Sequence, residues 1–150
     1  MHFLKESLIH AEPARVFAFH EQDSALTLLS PPWETARVIQ QAKISQIGSR
    51  AIIETNIIGP IKTQWIAEHT IYQPPHLFED VQIQGPFRSW RHRHIINMHP
   101  EGATLRDEIE YEPPLGILGR LFAPLLIEKR LRKLFDYRHR VTREWCEANN

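Results

Sequence analysis

A surplus of either charge is missing from this sequence. Its 18 Lys and Arg residues match 18 Asp and Glu residues, the formal net charge is +0, and the pI is about 7.1. Bulk charge therefore gives no reason to expect a nucleic-acid partner. Cysteine is almost missing as well. Cys146 stands alone, which excludes an internal disulfide and favours a reducing compartment. No apolar run is long enough to cross a bilayer, so no stable membrane insertion is expected. Met1 to Ala11 alternates apolar and polar residues and lacks the continuous apolar stretch of a secretory signal. The expected location is cytoplasmic. Internal repeats and low-complexity tracts are missing too. What the chain does have is 150 residues. That is enough to close one sizeable core, so a single domain over residues 1–150 is expected. It also has nine histidines, many for this length.

Periodicity divides the chain into elements. His2 to His10 alternates and reads as a first strand, with Phe3, Lys5, Ser7 and Ile9 on one side. Glu12-Pro13 opens a short helix carrying Val16, Phe17 and His20 on one face. Asp23 can cap a second, Ser24 to Leu29, which Ser30-Pro31-Pro32 stops. From Trp33 the period becomes two. Strands are expected over Ala36–Ile44, Arg50–Ile58, Ile61–Tyr72, Leu77–Gln84, Ser89–Met98 and Thr104–Glu112, separated by Gly and Pro turns. Such close spacing means an antiparallel meander. Pro124 to Trp145 then reads as a long helix. Ile127, Leu131, Leu134, Val141 and Trp145 draw its apolar stripe, and Glu128, Lys129, Arg132, Lys133 and Arg140 its wet face. A strand, two short helices, six strands and a long helix make an α+β two-layer domain.

Four segments carry a resemblance: Ala11-Glu12-Pro13-Ala14-Arg15-Val16-Phe17, Tyr72-Gln73-Pro74-Pro75, Gly85-Pro86-Phe87-Arg88-Ser89-Trp90-Arg91-His92-Arg93-His94, and Leu134-Phe135-Asp136-Tyr137-Arg138-His139. With them in this order, the chain resembles the START-like (Bet v 1-like, SRPBCC) superfamily. Within it, the likeness is to small bacterial ligand-binding proteins of the polyketide cyclase/dehydrase type. The resemblance implies the helix-grip fold: a curved antiparallel sheet of about seven strands wrapped around the C-terminal helix, with a cavity between them. It also implies binding of hydrophobic small molecules or lipids, with catalysis in some members, so fold alone does not settle function.

Strand alternation says which residues face that cavity. On the third strand of the meander, Trp65, Ala67, His69 and Ile71 share the drier face. A tight register across Pro74-Pro75 sets His69 against Asp80 and Ile71 against Phe78, which turns Phe78, Asp80, Gln82 and Gln84 inward. Pairing onward keeps Trp90, His92, His94, Ile96 and Met98 inside. Across the last turn, His92 is expected near Tyr111 and Ile96 near Asp107, with Leu105, Asp107, Ile109 and Tyr111 inside. The opposite assignment would bury Arg91, Arg93, Glu108 and Glu110, a heavy cost in desolvated charge. The inner face is thus apolar at its edges and polar in the middle.

The candidate site is therefore Trp65, Ala67, His69, Asp80, Gln82, Trp90, His92, His94, Asp107, Tyr111 and Arg138. Several readings of it stay open. It is a self-satisfied buried network, a recognition patch at the floor of an apolar pocket, or a His–Asp acid/base pair. A fourth reading is a zinc site of His92, His94 and His69. No metal and no cofactor are expected; no nucleophile stands in a family-like setting, since Cys146 lies at the far end of the helix, and catalytic residues stay unassigned. His69, Asp80 and His92 or His94 are expected to titrate as one coupled set, with His2 and His20 apart from it. Arg138 either lays its stem on apolar surface with its head in water, or dips inward to meet a carboxylate of the ligand or Asp107. The basic stripe of Lys129, Arg130, Arg132, Lys133, Arg140 and Arg143 is a solvated face, or a rest for an anionic membrane, though Glu128 and Asp136 interrupt it. The reading for function is binding of a hydrophobic small molecule or lipid-like metabolite under the long helix. The alternatives are a cyclase, dehydratase or hydrolase using the His/Asp cluster, and a membrane- or protein-associated accessory module working with a partner enzyme.

Overall fold

The N-terminal strand ends beside the last strand of the meander, and that pairing organises the sheet. A computed structural model describes residues 1–56, 62–114, 116, 121 and 124–148. The strands are β1 (His2–Ile9), β2 (Arg37–Gln40), β3 (Arg50–Thr55), β4 (Thr63–Gln73), β5 (Leu77–Gln84), β6 (Ser89–His99) and β7 (Gly102–Glu112). They form one antiparallel sheet in the order β1-β7-β6-β5-β4-β3-β2. Helices α1 (Pro13–Glu21) and α2 (Ala25–Leu28) separate β1 from β2. A wide π-type turn, Pro124–Glu128, leads into α3, Lys129–Glu147. The expected turn at Gly59-Pro60, the strand ends beside it and most of the Leu115–Gly119 linker lie outside the described residues.

Local sequence accounts for these elements. Pro13 occupies the first turn of α1, where its missing N–H costs nothing. Ser24, not Asp23, holds the cap position of α2, and no side chain bonds the helix end there. The chain leaves the β2 ladder after Gln40, where the pairing slips between Val38 and Gln40. The second half of the expected Ala36–Ile44 strand therefore goes elsewhere, and Ile44 is buried in the core. At Gly102 only glycine fits. Its φ is 138°, and a Cβ there would stand 2.3 Å from the Ile9 carbonyl oxygen.

Two registers differ from expectation. His69 does face Asp80, but Ile71 pairs with Glu79 and Tyr72 with Phe78, because Thr70 is an extra residue in β4. Thr70 uses its hydroxyl to donate to Glu79 at 2.7 Å. Across the last hairpin, His92 pairs with Ile109 and Ile96 with Leu105, not with Tyr111 and Asp107. The loop is only Pro100-Glu101, since His99 already pairs with Gly102. That moves the register by two residues, which preserves the faces. It also sets His94 opposite Asp107 and Trp90 opposite Tyr111.

The long helix turns slightly from its expected orientation. Its buried line is Leu131, Phe135, His139, Thr142 and Cys146, while Leu134, Val141 and Trp145 are half-buried on the flank. Counting only apolar side chains missed two polar residues that the fold satisfies. His139 bonds Ser7 and Asp107, and Thr142 donates to the Arg138 carbonyl at 3.0 Å. The core has two parts. One gathers α1, Phe78, Ile96, Leu105 and Cys146; the other gathers Phe3, Phe87, Trp90, Tyr111, Leu131 and Phe135.

Cys146 sits at the closed end of the first part. It is fully buried, and burial pushes its thiol up to about 11 against the opposing charge of Arg15. Reactivity belongs to the thiolate. Cys146 is therefore expected to react with an aromatic disulfide reagent at about pH 8 many-fold more slowly in the native protein than after denaturation. Equal rates would show that this end of α3 opens freely.

Candidate functional site

Between the sheet and α3 lies a cavity of about 780 Å³. Ala51, Ile53 and Thr55 of β3, Trp65, Ala67 and His69 of β4, Phe78 and Asp80 of β5, and Trp90, His92 and His94 of β6 supply one wall. Ala25 and Leu29 supply a second, and Leu131, Leu134, Phe135 and Arg138 of α3 close the third. Period-two alternation puts the β-residues there, since each is two positions from the next. Of the expected site residues, Trp65, Ala67, His69, Asp80, Trp90, His92, His94 and Arg138 line the cavity.

The other three do not. Gln82 clasps the β5–β6 turn: its Nε2 donates to the Phe87 carbonyl at 2.7 Å, and its Oε1 accepts the Phe87 N–H at 3.4 Å. Tyr111 packs against Phe87 and Trp90, and its hydroxyl has no hydrogen-bond partner among the described residues. Asp107 lies beneath the lining, only 3% exposed, and is the centre of the polar cluster. Its Oδ1 accepts from His92 Nε2–H at 2.7 Å and its Oδ2 from His139 Nε2–H at 2.6 Å. His94 Nδ1 stands 2.8 Å from Oδ1, near enough for an ion pair but off the line of a hydrogen bond. His139 Nδ1 accepts from the Ser7 hydroxyl at 2.8 Å, tying β1 to α3.

Asp80 faces the same imidazoles from the cavity side. Its Oδ2 is 3.6 Å from His92 Nδ1 and 3.5 Å from His94 Nε2. These three ligand atoms lie within 4.8 Å of one another. His94 is stacked on Phe78, ring centroids 4.0 Å apart, and His92 meets Phe135 edge-on at 5.3 Å.

Burial and charge pull the cluster in opposite directions. Burial would raise both aspartates, but the histidines outweigh it: Asp107 is held well below the usual carboxylate range and Asp80 is lowered too. Burial lowers His69 and His92. It opposes charge on His94 as well, yet Asp107 and Asp80 flank that ring and raise its pKa. One cation from α3 enters this field. Arg138 donates from Nε to the Leu29 carbonyl at 3.2 Å, with its guanidinium 5.2 Å from the Phe135 ring centroid. It therefore dips inward, and it bonds a backbone carbonyl rather than Asp107.

Two participants were not among the expected site residues. His139 lies four residues after Phe135, on the buried line of α3; extending that line through polar residues finds it. His20 was expected to stand apart, but its ring centroid is 5.7 Å from that of His94. It was legible on the buried face of α1 with Val16 and Phe17, though no local pattern pointed to its partner.

A curved seven-stranded antiparallel sheet gripping one long helix over a cavity defines a Bet v 1-like helix-grip protein. The chain belongs to the polyketide cyclase / dehydrase and lipid transport family, whose sequence profile matches residues 9–135. Solved structures show the same fold at low identity. Protein CV1439 from Chromobacterium violaceum is similar with a TM-score of 0.73 and 13% identity, covering 97% of each chain. TTHA0849 from Thermus thermophilus is similar with a TM-score of 0.71 and 17% identity, over 95% of this chain and 97% of that one. Ara h 8.0201, of the Bet v 1 type, is similar with a TM-score of 0.70 and 10% identity, over 99% of both. A nucleoside-diphosphate sugar epimerase from Corynebacterium glutamicum is similar over only 29% of its own chain and 87% of this one, with a TM-score of 0.63 and 20% identity. No curated protein matches the chain by sequence. Among the described residues, no helix is long and apolar enough to cross a membrane.

Proposed function

We propose that the chain binds a hydrophobic small molecule or lipid-like metabolite in the cavity between the sheet and α3. The cavity itself carries this reading: about 780 Å³, walled mainly by aromatic and aliphatic side chains, with polar groups converging at its floor. That is the size and make-up of a small-molecule site, where apolar walls supply affinity and a few polar groups fix orientation. Arg138 gives the cavity a cation suited to an acidic head group on such a ligand. Ligand enclosed here would stabilise the native state by mass action.

An environment-sensitive apolar dye is expected to bind with a dissociation constant in the micromolar range or tighter. Ala67 lines the cavity from the middle of β4. Ala67→Trp should fill the space and abolish dye binding while leaving the circular dichroism spectrum unchanged. A folded Ala67→Trp variant that binds dye like wild type would place binding elsewhere.

The second reading is an enzyme, favoured by one observation: the His/Asp cluster opens into the cavity through Asp80, His92 and His94. A His whose pKa is raised between two carboxylates is suited to proton transfer. Asp80→Asn separates the readings: loss of turnover with binding retained supports the enzyme, and weaker binding alone supports recognition. The likeness to one part of the C. glutamicum epimerase supports work beside a partner enzyme.

A further inference from the structure

We infer that Asp80, His92 and His94 form a binding site for one divalent first-row transition-metal ion, open to the cavity. The argument begins with hydrogen bonding. His92 gives its Nε2 proton to Asp107, so a neutral His92 leaves Nδ1 as a bare lone pair. That atom stands 3.6 Å from Asp80 Oδ2. His94 turns Nδ1 toward Asp107 at 2.8 Å and Nε2 toward Asp80 at 3.5 Å. A proton on Nδ1 faces the negative charge of Asp107 and leaves Nε2 bare. Three electron-rich atoms then face one another, and only a cation between them turns that repulsion into attraction.

The spacing suits a metal. Ligand atoms around tetrahedral zinc stand about 3.3–3.5 Å apart; here the two pairs with Asp80 stand at 3.5 and 3.6 Å, and all three atoms lie within 4.8 Å of one another. Two imidazoles and one carboxylate are a donor set for zinc, cobalt or iron rather than calcium or magnesium. Asp107 supplies what such sites need behind the ligands: a carboxylate that accepts a hydrogen bond from His92, fixing that ring, and stands 2.8 Å from His94 Nδ1, where its charge raises the second ring's basicity. His139 and Ser7 hold Asp107 in turn. A dication would also balance the charges of buried Asp107 and half-buried Asp80. The third donor is Asp80 and not His69, so the set differs from the His-only grouping that strand alternation offers. Three protein ligands leave a position for water or a cavity-bound molecule. The site does not depend on the apolar-ligand reading: metal can bind with no organic molecule present, and the dye experiment can fail with the metal site intact.

The test is a titration of metal-free wild-type protein with Co²⁺ or Zn²⁺ alone. Co²⁺ is expected to bind at one equivalent and give the visible absorption of a low-coordinate nitrogen/oxygen site. Zn²⁺ should shift the side-chain ¹⁵N resonances of His92 Nδ1 and His94 Nε2 while leaving those of the exposed His2 and His10 in place. Asp80→Asn and His94→Gln should each weaken binding by about 100-fold or more, and Asp107→Asn by about 10–100-fold. Absence of metal binding at micromolar concentration would overturn the inference and leave a proton on His94 as the cation between the groups. So would binding that survives both ligand substitutions, because the ion would then sit on surface histidines. The ¹⁵N measurement on wild type decides the matter even if the variants fail to fold.

Discussion

Lowering the pH from about 7 to about 4 is expected to unfold this protein, and His20→Leu to remove a large part of that sensitivity. His20 is 8% exposed, packed against Phe19, Phe78 and His94, with Nδ1–H donated to the Val16 carbonyl at 2.8 Å. Burial, with the charge of His94 second, lowers its pKa from 6.5 to about 3; Val16 and Asp107 oppose the shift, and His139 adds to it. A base with a depressed folded pKa contributes stability above its unfolded pKa of 6.5, and that contribution is lost as pH falls toward about 3. The gap corresponds to about 5 kcal/mol, comparable to the whole stability of many domains. His69 and His92 are lowered as well and act in the same direction below pH 6.5, while the lowered Asp80 and Asp107 add to the loss only below 3.8. His94 alone is raised and gains on acidification. Urea melts should show the midpoint falling steeply below about pH 6.5 in wild type and less steeply in His20→Leu. The variant should lose about 1 kcal/mol at neutral pH, mainly through the bond to Val16. Parallel pH profiles would mean that His20 accepts its proton without unfolding the chain.

The acid response depends on a cluster that sequence disclosed only in part. The strands of the meander were legible because apolar and polar residues alternate between Pro and Gly turns; Leu77–Gln84 was placed with its observed ends. The faces were legible because burying Arg91, Arg93, Glu108 and Glu110 costs too much. What alternation cannot supply is register. It says that His92, His94 and Asp107 share a face, but not which lies opposite which. The two-residue turn at Pro100-Glu101 decides that, and it puts Asp107 opposite His94. Centring the cluster on Asp80 leaves out its hub, Asp107, together with His139 and His20. Burial of Glu79 was invisible for a related reason. It lies on the outer face, where Arg93 donates to it at 2.7 Å and the extra residue Thr70 covers it. The polar residues on the buried line of α3 were missed because a search for apolar stripes assigns histidine and threonine to water.

The hub is where the second large effect is expected. Asp107→Asn should destabilise the protein by about 3–5 kcal/mol, the range for breaking a buried charged network by removing one member. As an anion Asp107 offers only lone pairs, and two of them accept from His92 and His139 at 2.7 and 2.6 Å. Asparagine offers one oxygen and two N–H groups. One imidazole N–H must then face another donor or lose its partner while buried, the expensive kind of failure. The damage should spread beyond the carboxylate, because Ser7, His139 and Asp107 form one chain linking β1, α3 and β7. Ser7→Ala alone removes one neutral bond and should cost about 1 kcal/mol. Combined with Asp107→Asn it should cost less than the sum, since the first substitution has already released His139. Urea denaturation of the two single variants and the double variant measures this directly. A loss under about 1 kcal/mol for Asp107→Asn would mean that the histidines re-pair among themselves or with Asp80. Strict additivity would mean that Ser7 and Asp107 act independently, with His139 passing no coupling between β1 and β7.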